Sequence, residues 1–216
     1  MPPIVSIVGR SGTGKTTLLE KVIGELTRRG FRVGTVKHDV HGFETDRPGK
    51  DSWRHRKAGA ATVVLSSPDK FAVIKETSHE WTAERLISSF VSDLDVVVTE
   101  GYKKGPFPKI EVLREAVSRE SVCATDEKLL ALASDFKLKL KKPVYDLEDF
   151  IGISDLIVNK VIKPHKDATV SLVVDGKVVT LKPFIEDLLR EGVAGMIKSL
   201  KGCSKAKEIE IRVRKK

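Results

Sequence analysis

Eight residues near the start, "GRSGTGKT" from Gly9 to Thr16, carry the densest chemistry in the sequence. They fit G-x-x-x-x-G-K-[ST] in full at Gly9, Gly14, Lys15 and Thr16, the Walker A pattern of a phosphate-binding P-loop. Gly9, Gly12 and Gly14 let the backbone turn successive N–H groups onto a phosphate, with Ser11 and Thr13 in the same cradle. Lys15 is placed to reach the β and γ phosphates, and the Thr16 hydroxyl to ligate Mg²⁺.

Such a loop needs an acid near the metal, at the carboxyl end of a buried strand. "LDVVVTEGYK" offers Glu100 there, followed by Gly101 for a sharp exit. Asp95 stands at the opposite end of the same run and reads as a turn residue. A second polar segment, Lys37 to Ala60, leaves a strand at the sheet edge where phosphates would lie. Within it Asp39 and Asp46 are placed to hold Mg²⁺ through water or to orient an attacking water. Lys50 and the Ser52 hydroxyl are candidate phosphate contacts, and Arg54, His55 and Arg56 add positive charge or form a solvated helix face. His38-x-x-His41 invites a transition-metal reading, but no second pair of soft ligands lies nearby and Mg²⁺ prefers oxygen.

The elements that must position these groups alternate. "IVSIV" (4–8) is a buried strand that stops at Gly9, and Leu18, Leu19, Val22, Ile23 and Leu26 share one face of a helix that ends at Gly30. "FRVGTVK" gives the next strand, so the chain opens as a βαβ unit. Strands are expected at "ATVVLSS", "KFAVIKE", "LDVVVTE", "KIEVLR", "SVCAT" and "PVYD". Helices are expected around Ser52 to Ala58, over "EWTAERLISSFV" and from about Asp146. This order predicts an α/β fold of the P-loop NTPase kind, a mostly parallel, doubly wound sheet flanked by helices. The pattern changes near "VIKPHKDA". Residues 1–162 are expected to form the nucleotide-binding domain, and 168–216 a small ββαβ extension with a hairpin at Asp175-Gly176 and a last strand at "EIEIRVR". About 50 residues are too few for a comfortable independent core, so the extension should pack on the main domain or on another subunit.

With 216 residues, 40% of them apolar, there is room for one substantial domain and an appendage. The net charge of +9 favours anionic partners. Cys123 and Cys203 lie far apart without a C-x-x-C pattern, which argues against a disulfide framework or a cysteine zinc site. A strand beginning at Ile4 leaves no room for a signal peptide, and no apolar run has the roughly 20 residues of a membrane helix. A cytoplasmic protein without a membrane partner is expected.

Taken together, "GRSGTGKTTLLEKVI", "GTVKHDVHGFETDRPGKDSWRHRKAGA" and "VVVTEGYK" resemble the molybdopterin-guanine dinucleotide biosynthesis protein B (MobB) family over residues 3–160. The resemblance implies a cytoplasmic homodimer that binds GTP with Mg²⁺, hydrolyses it slowly, and assists the nucleotidyltransferase that attaches GMP to molybdopterin. Molybdopterin itself is a candidate ligand. The family's motifs fall on Gly12, Gly14, Lys15, Thr16 and Thr17; on His38, Asp39, His41, Asp46, Gly49, Lys50, Asp51 and Ser52; and on Glu100 and Gly101. Lys15, Asp46 and Glu100 are then candidates for the chemical step, with Thr16, Asp46 and Glu100 around Mg²⁺. No N-K-x-D guanine motif is present. "NKVI" at Asn159 lacks the aspartate, and Thr125 or Asp126, ending the expected strand "SVCAT", is the alternative base contact. The competing enzyme reading is a small-molecule kinase using ATP, for which "GYKKGPFPK" (101–109) is the one lid-like stretch. A nucleic-acid-binding ATPase would use the basic tail, but that tail alternates as a strand and has no interleaved aromatics, so nucleic acid is not an expected partner.

Overall fold

Val5 and Ile7 point to one face of a strand and Ile4 and Val8 to the other, all nearly inaccessible, so this segment must be covered on both sides. The computed structural model describes residues 1–203 except 40, 41, 92, 139, 166–169, 171, 175, 176 and 180, and also residues 209, 211 and 213. In it the chain runs β1 (Ile4–Val8), α1 (Lys15–Arg28), β2 (Val33–Lys37), α2 (Asp51–Lys57), β3 (Thr62–Ser66) and β4 (Phe71–Lys75). There follow α3 (Ala83–Phe90), β5 (Val96–Glu100), β6 (Lys109–Leu113), β7 (Leu129–Ser134), β8 (Val144–Tyr145) and α4 (Phe150–Ile157). The last elements are a π turn (Val158–Ile162), a 3-10 turn (Lys163–His165), β9 (Leu172–Val174), β10 (Lys177–Val179) and α5 (Pro183–Lys198).

Six strands form one sheet in the order β2-β5-β1-β6-β7-β8, with every pairing parallel. Leu18, Leu19, Val22 and Leu26 of α1 and Ile153 and Ile157 of α4 pack on the face that carries Val5, Ile7, Val96 and Val98. Ala83 and Ile87 of α3 cover Ile4 and Val97 on the other face, together with Phe107. Each large aliphatic buried this way contributes about 1.5–3 kcal/mol. Helices on both faces of a parallel sheet make the fold doubly wound α/β, as the alternation of elements predicts.

The structure departs from the sequence expectations at several points. β3 and β4 pair with each other antiparallel and stay outside the main sheet. "SVCAT" is a loop: the buried Glu111 carboxylate accepts the Val122 and Cys123 N–H groups at 2.7 and 3.2 Å, so they are unavailable to a ladder. The strand that follows β6 is instead "LLALAS", β7. The helix expected from about Asp146 begins at Phe150, because Asp149 caps it through the Gly152 N–H at 2.9 Å. In the extension β9 and β10 pair antiparallel and α5 starts at Pro183, while the turn residues 175 and 176 lie outside the described residues. Most of "EIEIRVR" lies outside them too, and Ile209, Ile211 and Val213 belong to no strand.

One ion cluster ties α1 to α4. Glu25, 6% exposed, accepts from Arg28 and Arg29, and Arg29 also donates to Asp155 of α4 at 2.5 Å. The Arg28 and then the Arg29 guanidinium hold the Glu25 carboxyl at about 2, below its ordinary 4.5, against the opposing effect of burial. A carboxyl depressed in the folded state stabilises above its unfolded value, and that contribution is lost as pH falls through the folded one. Glu25→Gln should therefore flatten the loss of Tm between about pH 4.5 and pH 2 relative to the wild type. Parallel Tm-against-pH curves would contradict the assignment.

Candidate functional site

The loop between β1 and α1 is shaped by three glycines with positive φ: 144° at Gly9, 78° at Gly12 and 89° at Gly14. A Cβ on Gly9 would lie 2.4 Å from the Val112 carbonyl oxygen of β6, so only glycine lets the loop leave β1 here. Thr13 is buried, and its hydroxyl donates to the Arg10 carbonyl at 3.0 Å. The Lys15 ammonium crosses the loop to the same carbonyl at 2.8 Å. Ser11 lies exposed in the loop, and Thr16 and Thr17 are exposed on the first turn of α1. The Arg10 guanidinium makes an open ion pair with Glu120 at 3.7 Å.

Parallel pairing brings the acid to this loop. Ile7 of β1 stands beside Glu100 of β5, and a buried Ser6–Thr99 hydroxyl bond of 2.8 Å fixes the register one residue earlier. The Thr16 hydroxyl then lies 3.1 Å from each Glu100 carboxylate oxygen. An alcohol and a carboxylate beside a lysine form a hard oxygen set that suits Mg²⁺, and the glycine-shaped cradle suits a phosphate chain. The residues present thus fit both groups.

The segment after β2 is anchored to the same acid, since the His38 N–H donates to the Glu100 carbonyl at 3.0 Å. The His38 ring stacks on Tyr102 at 4.7 Å, and its Nε2 lies 2.7 Å from Glu80. Tyr102 is the one non-glycine among the described residues with positive φ, 53°, and the residue before it, Gly101, would bring a Cβ within 3.2 Å of that of His38. His41 lies outside the described residues, and no group of three His, Cys, Asp or Glu suited to a metal occurs among them.

Asp46 belongs to a separate cluster. It is 8% exposed, accepts from the Ser52 hydroxyl at 2.6 Å, and faces Arg56 Nε at 3.4 Å as an ion pair that lacks hydrogen-bond alignment. Arg56 also binds Glu44 and Glu76, so 44–56 is internally cross-linked. Asp39 is exposed just past β2, and Lys50 occupies the cap position of α2. The structure therefore sets Thr16, the residue after Lys15, against Glu100 and joins Asp46 to Ser52. An open cavity of about 870 Å³ adjoins His38, with Lys37, Phe71, Trp81 and Tyr102 in its wall.

The base-contact candidate Asp126 and Asn159 of the incomplete guanine motif each accept from a lysine, and the other candidate, Thr125, is exposed beside Asp126. Asp126 lies in a turn and accepts from Lys109, which holds its carboxyl below the usual range. Asn159 lies in the π turn and accepts from Lys163 at 2.9 Å. Asp95 takes the Arg32 N–H at 2.7 Å, the turn role its position suggests. Sequence reasoning missed the fully buried Lys109 and Glu111, although charges at alternate positions of an apolar strand are a readable signal. It also missed Arg114, which meets the phosphate loop only through the pairing of β6 with β1.

The family model described as "Molybdopterin guanine dinucleotide synthesis protein B" (MobB) matches residues 4–135. The molybdopterin-guanine dinucleotide biosynthesis adapter protein of Haemophilus influenzae is 38% identical over 158 residues, covering 73% of this chain and 88% of that protein. Its Escherichia coli namesake is 38% identical over 165 residues, covering 73% and 93%. The crystal structure of molybdopterin-guanine biosynthesis protein B superposes with a TM-score of 0.59 at 31% identity, covering 72% of this chain and 98% of that one. With its glycine-shaped phosphate loop set against a strand-end glutamate, the chain belongs to the MobB family.

Proposed function

We propose that this protein is an adapter of molybdopterin guanine dinucleotide biosynthesis that binds GTP with Mg²⁺ and hydrolyses it slowly. The observation that carries the reading is the Thr16 hydroxyl set between both Glu100 oxygens, beside Lys15 and the glycine cradle. Gly9, Ser11, Gly12, Thr13, Gly14 and Thr17 complete the phosphate cradle in this reading, and Lys15 neutralises the terminal phosphates. Thr16 and Glu100 hold the metal, which supplies charge neutralisation at the phosphates when bound. The cluster of Asp46, Ser52 and Lys50 is the part that responds: a bound terminal phosphate draws Lys50 and Ser52 inward and frees Asp46 for water or metal.

The 38–52 segment leaves β2 at His38, whose N–H donates to the main-chain carbonyl of Glu100, and we assign it as the surface read by the partner nucleotidyltransferase. The cavity walled by Phe71, Trp81 and Tyr102 suits a flat ring, and molybdopterin is its proposed occupant. The loop 101–108 argues against a kinase lid, since Lys109 pins the carbonyls of Lys103 and Gly105 and Phe107 is buried. We assign residues 1–162 to the nucleotide domain and 168–216 to an accessory unit, in keeping with an α5 that has no buried residue. A cytoplasmic homodimer completes the proposal; among the described residues no helix is long and apolar enough to cross a membrane.

Glu100→Gln tests the site. The amide keeps an oxygen toward Thr16 but loses the charge on the metal, so GTP binding should persist while phosphate release falls about 10–100-fold. Loss of binding with hydrolysis unchanged per bound nucleotide would overturn the role given to Glu100.

A further inference from the structure

Arg114 follows β6, on the side of β1 opposite Glu100. Its Nε donates to the Thr13 carbonyl of the phosphate loop at 3.4 Å, and its Nη2 lies 3.1 Å from where a Cβ on Gly14 would be. The guanidinium therefore lies beside the Thr13–Gly14 peptide, in space that glycine leaves open. Among the described residues no carboxylate is within ion-pair distance of it. Its backbone is fixed as well: the Arg114 carbonyl accepts both the Val117 and Ser118 N–H groups at 2.9 Å. Val117 in that turn comes within 3.9 Å of the Cβ position of Gly12.

A loop that wraps an anion must aim its N–H groups inward and send its carbonyls outward, where each needs a partner. Arg114 supplies that partner at Thr13, the residue between Gly12 and Gly14. We propose that Arg114 is a positioning residue that pre-sets the phosphate loop in its anion-binding shape by holding the Thr13 carbonyl outward. The ligand class this serves is any diphosphate or longer polyphosphate chain, because the role lies in the shape of the loop. In its nucleotide aspect the inference rests on the function proposed above.

Two measurements on the full-length protein test it separately. In the nucleotide-free chain, Arg114→Ala should speed amide hydrogen exchange at residues 12–16 while leaving Tm close to the wild type; unchanged exchange would overturn the inference, whatever the chain binds. Calorimetric titration should show GTP, GDP and inorganic pyrophosphate weakened alike, by about tenfold, the worth of one charged hydrogen bond. Arg114→Lys, which keeps a donor on a long stem, should recover part of that loss. A loss confined to GTP would also overturn the inference, since it would mark a contact with the terminal phosphate rather than a set loop. If the wild type takes up neither nucleotide nor pyrophosphate, the function proposed above falls, and faster exchange in Arg114→Ala would still support the positioning role.

Discussion

Lys15→Ala should weaken GTP binding by about 100-fold or more and leave the folded state almost as stable as before. The ammonium sits half-buried over the loop, with the Arg10 carbonyl as its hydrogen-bond acceptor. In the proposed bound state it faces the terminal phosphates, and each hydrogen bond between charged groups is worth about 1.5–3 kcal/mol. Two such bonds lost give the stated factor. The stability cost is small, within about 0.5 kcal/mol, because no buried partner is stranded and the glycine conformations do not depend on the side chain. Calorimetry with GTP and a melting curve of the same sample check both halves. Wild-type affinity in the variant would remove the loop from the account.

Lys109→Met should cost about 3–5 kcal/mol, the typical penalty for removing one partner of a buried ion pair. Lys109 is 1% exposed and donates to the Lys103 carbonyl at 3.1 Å, the Gly105 carbonyl at 3.0 Å and the Asp126 carboxylate. It clamps the loop that leaves Glu100 to the turn that precedes β7. Methionine fills the volume but takes the donor from the Lys103 and Gly105 carbonyls, and Asp126, left with the Lys128 N–H, loses the bond that most depresses its carboxyl. The Tm of a chain this long should fall by about 10 °C. Adding Asp126→Asn should recover part of the loss, since the unpaired charge is then gone. A single variant that melts with the wild type would show that the clamp adds nothing.

The parts of this protein legible in the sequence are those decided over short stretches of chain. The P-loop, the apolar face of α1 and the run from Val96 to Glu100 announce themselves through glycine spacing, helical period and β-branched content. Asp95 likewise reads as a turn residue, and it holds the Arg32 N–H. What stayed hidden depends on partners far along the chain. "SVCAT" has strand propensity, but its Ser121 hydroxyl and its Val122 and Cys123 N–H groups go to Glu111, ten to twelve residues earlier. Arg114 is about a hundred residues from Thr13 in sequence, and only the pairing of β6 beside β1 makes them neighbours. Asp126 shows the same limit, since its charge answers Lys109, 17 residues earlier.

In the proposed function GTP sets the state of this protein and is not a donor for an acceptor substrate. Calorimetric titration of the purified chain with GTP and with ATP in Mg²⁺, followed by phosphate release with no other substrate present, tests it most directly. The account predicts GTP-selective binding and a turnover far below the roughly 10 s⁻¹ typical of enzymes. Preference for ATP, with release silent until an acceptor is supplied, would contradict it and make the protein a kinase.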